Sequence, residues 1–340
     1  MEMIIEAKEL SREFTVYNNS GSSFVMLNQM LFRKGQKKCV VDQLNLTINK
    51  GEFIGYLGPN GAGKSTTIKM LSGVLRPTSG ELSVLGMSPT KNRKEYAKHI
   101  GVLYGQRTQL WWDLPLIDSF ELLKSIYKVP DSFYKDRLYK FVELLDMQEF
   151  LNRPVRVLSL GQRMKGEMVA TLLHNPQILF LDEPTIGLDV LAKDRIQNFL
   201  RTINKEEKVT IMLTSHNMDD IEKLCDRVVL IDHGKVMFDG NQQELKRLTP
   251  QKKTLIIDVA AEDIGKTPVI SPVKIEENRM YFEIADDSEV PKIITQLSVS
   301  FTLLKIEMLE PGIEDVLKEL YATRNYSITS DSAPIMETAQ

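Results

Sequence analysis

The nine residues GPNGAGKST, at positions 58 to 66, combine glycines with a lysine and two hydroxyls in the spacing of a phosphate-binding loop. Glycines let successive backbone N–H groups turn inward around phosphate oxygens, and a helix starting directly behind them aims its positive end at the same point. In that pattern Lys64 reaches the β and γ phosphates of a nucleotide, and the Ser65 hydroxyl ligates Mg²⁺. A second stretch, ILFLDEP (178 to 184), runs four apolar residues into Asp182 and Glu183. Alone, this is as readily an ordinary acidic strand end. Beside a phosphate loop, Asp182 can hold the metal through water, and Glu183 can orient and deprotonate a water aimed at the γ phosphate.

Both groups need a rigid frame. GEFIGYLG (51 to 58) reads as a buried strand and STTIKMLSGVL (65 to 75) has helical spacing, so strand, tight loop and helix follow in order. QILFLDEP (177 to 184) and VTIMLTSH (209 to 216) read as further strands, and RVVLIDHGKVMFDG (227 to 240) as a hairpin turning at His233-Gly234. Between Asp118 and His174 the pattern is helical. The fold class is therefore α/β, with parallel strands, interleaved helices and a helical insert over about 107–173. This first domain spans 1–245. Alternation in TLIIDV, VKIEEN and MYFEIA, followed by VPKIITQLS and FTLLKIEML, predicts a small α+β domain over 250–322. EPGIEDVLKELY (310 to 321) predicts a helix that packs on that domain through Ile313, Val316, Leu317 and Leu320. Residues 323–340 are poor in bulky apolar side chains and are expected to be a disordered tail.

Composition narrows the function classes. Forty-three basic against 46 acidic residues give a net charge of -3, so no global field attracts nucleic acid or anionic lipid. No nucleic-acid partner is expected. Two cysteines, Cys39 and Cys225, are too few for a disulfide framework or a metal knuckle and fit a reducing compartment. The opening MEMIIEAKEL has no basic segment followed by an apolar one, and no run of about 18 apolar residues occurs. The expectation is a cytoplasmic chain that does not itself cross a membrane.

With these motifs in this order the chain resembles the ATP-binding cassette of ABC transporters: GPNGAGKST, Gln106, LSLGQ (158 to 162), ILFLDE (178 to 183), GLD (187 to 189) and His216, over about residues 3 to 240. The resemblance implies a P-loop NTPase fold, a RecA-like core with a helical insert, and ATP with Mg²⁺ as cofactors. ATP would be held by Gly58, Pro59, Asn60, Gly61, Ala62, Gly63, Lys64, Ser65 and Thr66, and the metal by Ser65, Gln106 and Asp182. Glu183 would be the general base, His216 would hydrogen-bond the γ phosphate and position the water, and Gln106 would contact metal and water and link core to insert. Phe14, in LSREF, stands where the family stacks an aromatic ring on adenine. Phe32 competes with it, because an insertion over about 18–38 separates Phe14 from VVDQLNL. In that insertion Phe24, Leu27, Met30 and Leu31 have helix spacing, either an amphipathic contact for a membrane partner or a packed helical turn.

LSLGQ is read as preceding a helix that begins near Arg163, so that Ser159 and the helix start form a second phosphate-binding surface, or simply a helix cap. The resemblance implies the former: two cassettes pack head to tail, as a homodimer or with a second cassette, and each ATP lies between one phosphate loop and the partner's Ser159, Gly161 and Gln162. Asp189 would lie at that interface. The family usually has glycine where Leu160 stands. The wording GQRTQLWWDLP, LSLGQRM and DEPTIGLD is similar to a bacterial branch serving ABC-2 type permeases, mostly exporters, which would place the chain peripherally on the inner face of the membrane. Both tryptophans, Trp111 and Trp112, lie where that family receives a permease helix, and adjacency predicts that one packs inward while the other meets the partner. An ABC-type ATPase acting on ribosomes or DNA is the alternative, disfavoured by the single cassette and the lack of a basic arm. A P-loop kinase or GTPase leaves LSLGQ unexplained.

Overall fold

The computed structural model describes residues 2–16, 36–105, 107–248 and 253–330, the stretch 322–330 by backbone alone. The described chain forms two units, Met1–Gly240 and Asn241–Gln340.

In the first unit, β1 (Met3–Val16) pairs antiparallel with β2 (Gln36–Asn49). The chain then enters β3 (Phe53–Leu57), all five of whose residues are buried, and leaves it through the glycine-rich loop into α1 (Lys64–Leu71). A strand buried on both faces reads as a continuous apolar run, as FIGYL does. β4 (Ser79–Val84) returns to the other side of β1, completing a three-stranded antiparallel sheet of order β2-β1-β4. A short α2 (Arg93–Tyr96) leads to β5 (Ile100–Tyr104).

The helical stretch follows as expected: α3 (Leu116–Tyr127), α4 (Asp131–Leu145), a 3₁₀ turn at Val155–Val157, and α5 (Leu160–Leu172). Both α3 and α4 begin directly after a proline, at Pro115 and Pro130, and both end on a left-handed residue, Lys128 and Asp146. The α/β pattern then resumes with β6 (Ile178–Asp182), α6 (Val190–Glu207), β7 (Thr210–Thr214), α7 (Met218–Leu224), β8 (Arg227–Asp232) and β9 (Lys235–Asn241). The main sheet has the order β5-β6-β7-β3-β8-β9. Its first five strands run parallel. The β8–β9 hairpin turns at His233 (φ 46°) and Gly234 (φ 80°), the paired positive φ of a tight two-residue turn. Parallelism brings the carboxyl ends of β3, β5, β6 and β7 to one edge, where open α/β sheets bind ligands.

The second unit starts at Asn241, which caps α8 (Gln242–Lys246) through a reciprocal bond with Glu244. The unit boundary therefore falls ahead of the 245–250 junction read from sequence, because α8 packs against the last helix of this unit. Strands β10 (Lys253–Val259), β11 (Lys274–Glu276), β12 (Arg279–Ile284) and β13 (Leu303–Leu309) form an antiparallel sheet of order β11-β12-β10-β13. Leu255, Ile257, Met280 and Phe282 pack with Ile293 and Leu297 of α9 (Glu289–Ser298). The last helix, α10 (Ile313–Ser330), buries Ile313, Val316 and Leu317 and is helical beyond residue 323, where the sequence reading began a disordered tail. Residues 331–340 of that tail lie outside the described residues.

Candidate functional site

Glycine is required twice in the loop behind β3. A Cβ on Gly58 would lie 2.4 Å from the Ile231 carbonyl oxygen, and Gly63 has φ 105° with the Val40 carbonyl 2.7 Å from where a Cβ would stand. With those positions free of side chains the loop closes tightly, and the Lys64 ammonium folds back to donate to the carbonyls of Gly58 (2.6 Å) and Pro59 (3.1 Å). Lys64 is buried. Burial lowers its pKa, while Glu183 and Asp182 pull it back up. A buried cation inside a ring of backbone groups is suited to an anion.

The acidic pair arrives on β6. Thr214, ending the neighbouring β7, donates to Asp182 Oδ1 at 2.6 Å. Glu183 follows with φ 55°, a left-handed conformation that costs about 1–3 kcal/mol for a non-glycine residue. Its N–H donates to the Thr214 carbonyl at 3.0 Å, which pins the turn. As a result Glu183 leaves the strand direction, and its Oε1 meets His216 Nε2 at 2.9 Å. One cleft is lined by Gly61, Gly63, Lys64, Ser65 and Thr66 together with Glu183 and His216. An adjoining one places Ser65 beside Asp182, Glu183 and Tyr104. The loop, more than a hundred residues earlier in sequence, thus shares one edge of the sheet with the acidic pair and the histidine. Asp182 Oδ2 and the Ser65 hydroxyl face that space without a protein hydrogen bond among the described residues, a pair of hard oxygen donors that fits Mg²⁺. Among the described residues no cluster of three or more His, Cys, Asp or Glu could hold a metal by itself, so such an ion would depend on phosphate oxygens for much of its shell.

The LSLGQ segment lies elsewhere. Ser159 is the N-cap of α5: its Oγ accepts from the Gln162 N–H (3.2 Å), and the Ser159 N–H donates to Gln162 Oε1 (3.0 Å). This corrects the expected start near Arg163, since the helix already includes Leu160, Gly161 and Gln162. A reciprocal cap satisfies the free donors of the first turn, so it favours the earlier start. A Cβ on Gly161 would come within 3.0 Å of Ala192 Cβ, and Leu160 Cδ2 lies 3.1 Å from where Gly187 would carry one. Leu160 thus packs on Gly187, while Asp189 caps α6 by accepting from the Ala192 N–H at 2.9 Å. The cleft lined by Ser159, Gly161, Gln162 and Asp189 shares no residue with those lined by the phosphate loop.

The ABC transporter family matches residues 41–186. The ABC transporter ATP-binding protein NatA of Bacillus subtilis is 34% identical over 212 residues, which cover 62% of this chain and 86% of NatA. The chain belongs to the ABC transporter ATP-binding family. It is an ATP-hydrolysing cassette, since the family hydrolyses ATP to power transport. Nod factor export ATP-binding protein I of Ralstonia nicotianae is 31% identical over 244 residues, covering 72% of this chain and 75% of that protein. The structure of cbiO1 from Clostridium perfringens, described as part of the ABC transporter complex cbiONQ, superposes with a TM-score of 0.59 at 26% identity, over 73% of this chain and 94% of that one.

Other residues of the cassette stand as follows. Gln106 lies outside the described residues, as do Phe24, Leu27, Met30, Leu31 and Phe32 of the insertion. Phe14 sits on β1 opposite Lys38, is 36% exposed, and has the Arg12 guanidinium 4.6 Å from its ring centre. Lys38 is two residues before Val40, whose carbonyl abuts Gly63, so Phe14 is on the strand pair that flanks the phosphate loop. Trp111 and Trp112 are 37% and 49% exposed, which corrects the expectation that one packs inward. The anchor is Leu110, buried against the α5 surface that Gly166 leaves open.

Two acidic residues escaped the sequence reading. Glu167, buried on α5, accepts from the Thr108 hydroxyl and from the Gln109 N–H, tying the segment before the tryptophans to the LSLGQ helix. Burial raises its pKa, and the bonds from Thr108 and Gln109 oppose the shift. Asp220, fully buried on α7, accepts from four donors. A faint signal existed for Glu167, an acid among the apolar positions of a helix; for Asp220 beside Asp219 there was none.

Proposed function

We propose that this cassette binds and hydrolyses Mg·ATP at the edge formed by residues 58–66, Asp182, Glu183 and His216, and powers an ABC-2 type permease that moves its substrate outward. The 2.9 Å contact between Glu183 and His216 beside Lys64 and Ser65 carries the hydrolytic part of this reading. Lys64 and the loop N–H groups bind the β and γ phosphates, Glu183 takes the proton of the attacking water, and His216 orients that water and the γ phosphate. Ser65 and Asp182, with Gln106, would hold Mg²⁺, which supplies neutralisation of charge on the β and γ oxygens. Phe14 stacks on adenine.

Ser159 and Gly161, in a separate cleft, serve the ATP of a second cassette packed head to tail, with Asp189 at the interface. Two ATPs then close the dimer and hydrolysis reopens it. Outward transport is supported by the Nod factor export relative and by the GQRTQLWWDLP wording, with both exposed tryptophans offered to the permease. Among the described residues no helix is long and apolar enough to cross a membrane, which accords with attachment at the inner face through a separate permease. Affinity purification of the tagged chain from native membranes tests this: an ABC-2 type permease should co-purify, and recovery with ribosomal or DNA-repair components instead would refute the transport assignment.

A further inference from the structure

Asp220 is 0% exposed, and four donor groups meet its two oxygens, three through hydrogen bonds and Lys193 through an ion pair. Oδ2 receives the Thr185 hydroxyl (2.5 Å) and the Ser215 hydroxyl (3.0 Å). Thr185 lies two residues after Glu183, and Ser215 immediately precedes His216. Oδ1 receives Gln197 Nε2 (2.6 Å) and Lys193 Nζ (3.1 Å), both on α6, the helix that Asp189 caps. Ser215 Oγ in turn accepts from the Asn217 N–H at 3.0 Å. One carboxylate therefore holds the segment bearing the acid, the segment bearing the histidine and the helix behind Asp189, none of which it could reach by sequence proximity alone except the second.

A buried carboxylate with four donors has its charge compensated, and the bonds it accepts are of the strong, charge-assisted kind. The geometry it fixes is specific. Glu183 is in a left-handed conformation and depends on β7 for its backbone bond, so small shifts of the Thr185 or Ser215 segments change the 2.9 Å separation from His216. Misplacement of a reacting group by about 1 Å can cost on the order of 100-fold in rate.

We propose that Asp220 is a positioning residue for the hydrolytic step, a buried hub that sets Glu183 against His216 and links both to the helix capped by Asp189. The inference rests on the reading of Glu183 as general base. Among the described residues the hydrogen bonds and ion pair of Asp220 go to Thr185, Ser215, Gln197 and Lys193 and not to the phosphate loop, so its loss should act on turnover and leave nucleotide affinity in place.

The test is a double-mutant cycle in the full chain, with ATP affinity measured by direct titration and hydrolysis by single-turnover phosphate release. Asp220→Asn keeps the shape but supplies too few acceptors; turnover should fall at least ~10-fold while ATP affinity stays within about twofold. In the Glu183→Gln background the same substitution should lower residual hydrolysis by less than about twofold, because groups that act as a unit are not additive. A merely structural role would lower both backgrounds by the same factor, and that result, or normal turnover of Asp220→Asn, would overturn the proposal. Should Asp220→Asn fail to fold, Thr185→Val removes one of the three hydrogen bonds: reduced turnover at unchanged ATP affinity supports the hub, and unchanged turnover refutes it. Near-normal hydrolysis by Glu183→Gln alone is a different result, removing the base reading and this inference with it.

Discussion

His216 Nε2 and Glu183 Oε1 stand 2.9 Å apart although one follows β7 and the other β6. The pair can place a water between a proton acceptor and the phosphate edge. Glu183→Gln preserves size and leaves Lys64 and Ser65 untouched, so ATP should still bind. Turnover should fall at least ~100-fold, the usual scale for a lost general base. Phosphate release by the purified variant, beside an ATP titration, checks both halves; hydrolysis near the unsubstituted rate would exclude Glu183 from the role.

Separation of the Ser159 cleft from the phosphate loop predicts complementation between damaged chains. Lys64→Ala and Ser159→Arg should each be inactive as homodimers. Mixed, they form dimers with one doubly damaged and one intact site, and ATPase activity should reappear. If every site were complete within a chain, the mixture would stay as inactive as its parts.

Because Leu110 and the Glu167 bonds fix the loop, neither tryptophan is needed for folding. Trp111→Ala and Trp112→Ala should both melt close to the parent and bind ATP normally. At least one should weaken association with the permease by roughly 2 kcal/mol, the scale of an interface hot spot. Trp112 is the stronger candidate: its ring lies 5.8 Å from the Arg163 guanidinium on the LSLGQ helix. Pull-down from membranes that recovers the permease equally with both variants would end this docking assignment.

His174 gives a pH dependence with a defined sign. Its ring stacks on Tyr127 at 4.0 Å, Nε2 bonds the Ile100 carbonyl at 2.8 Å, and Nδ1 is buried without a partner. Burial holds its pKa down to about 4, helped by the charges of Arg137 and His99 and opposed by the Ile100 carbonyl. The folded chain therefore binds this proton more weakly than the unfolded chain does. Its contribution to stability is full above the ordinary histidine value near 6.5 and is lost as pH falls from there toward 4. His174→Phe should flatten that part of the curve of denaturation midpoint against pH; an unchanged slope between those values would show that His174 is not its source.

Much of the proposed site is legible in the sequence. The phosphate loop and the strand ending in Asp182 and Glu183 are contiguous in sequence, and their chemistry depends on local backbone and residue type. The start of α5 was misplaced because a serine before Leu-Gly-Gln is compatible with either a loop or a cap; the reciprocal bond between Ser159 and Gln162 decided it. The tryptophans were misread because adjacency on an extended chain implies opposite faces, and in the structure a loop anchored by its neighbour Leu110 exposes both.

Sequence by itself determined the α/β order, the glycine positions and the identity of the charged groups, since these follow from periodicity and from the conformations each residue type allows. Tertiary structure alone decided which of them meet. Parallel pairing of β6 with β7 brings Glu183 to His216 and lets Thr214 serve both acids, and α7 carries Asp220 under Thr185 and Ser215 while leaving Asp219 at the surface. Those two aspartates are neighbours of the same type, and their difference is one of helix facing: a rotation of 100° per residue turns one toward four buried donors and the other toward water.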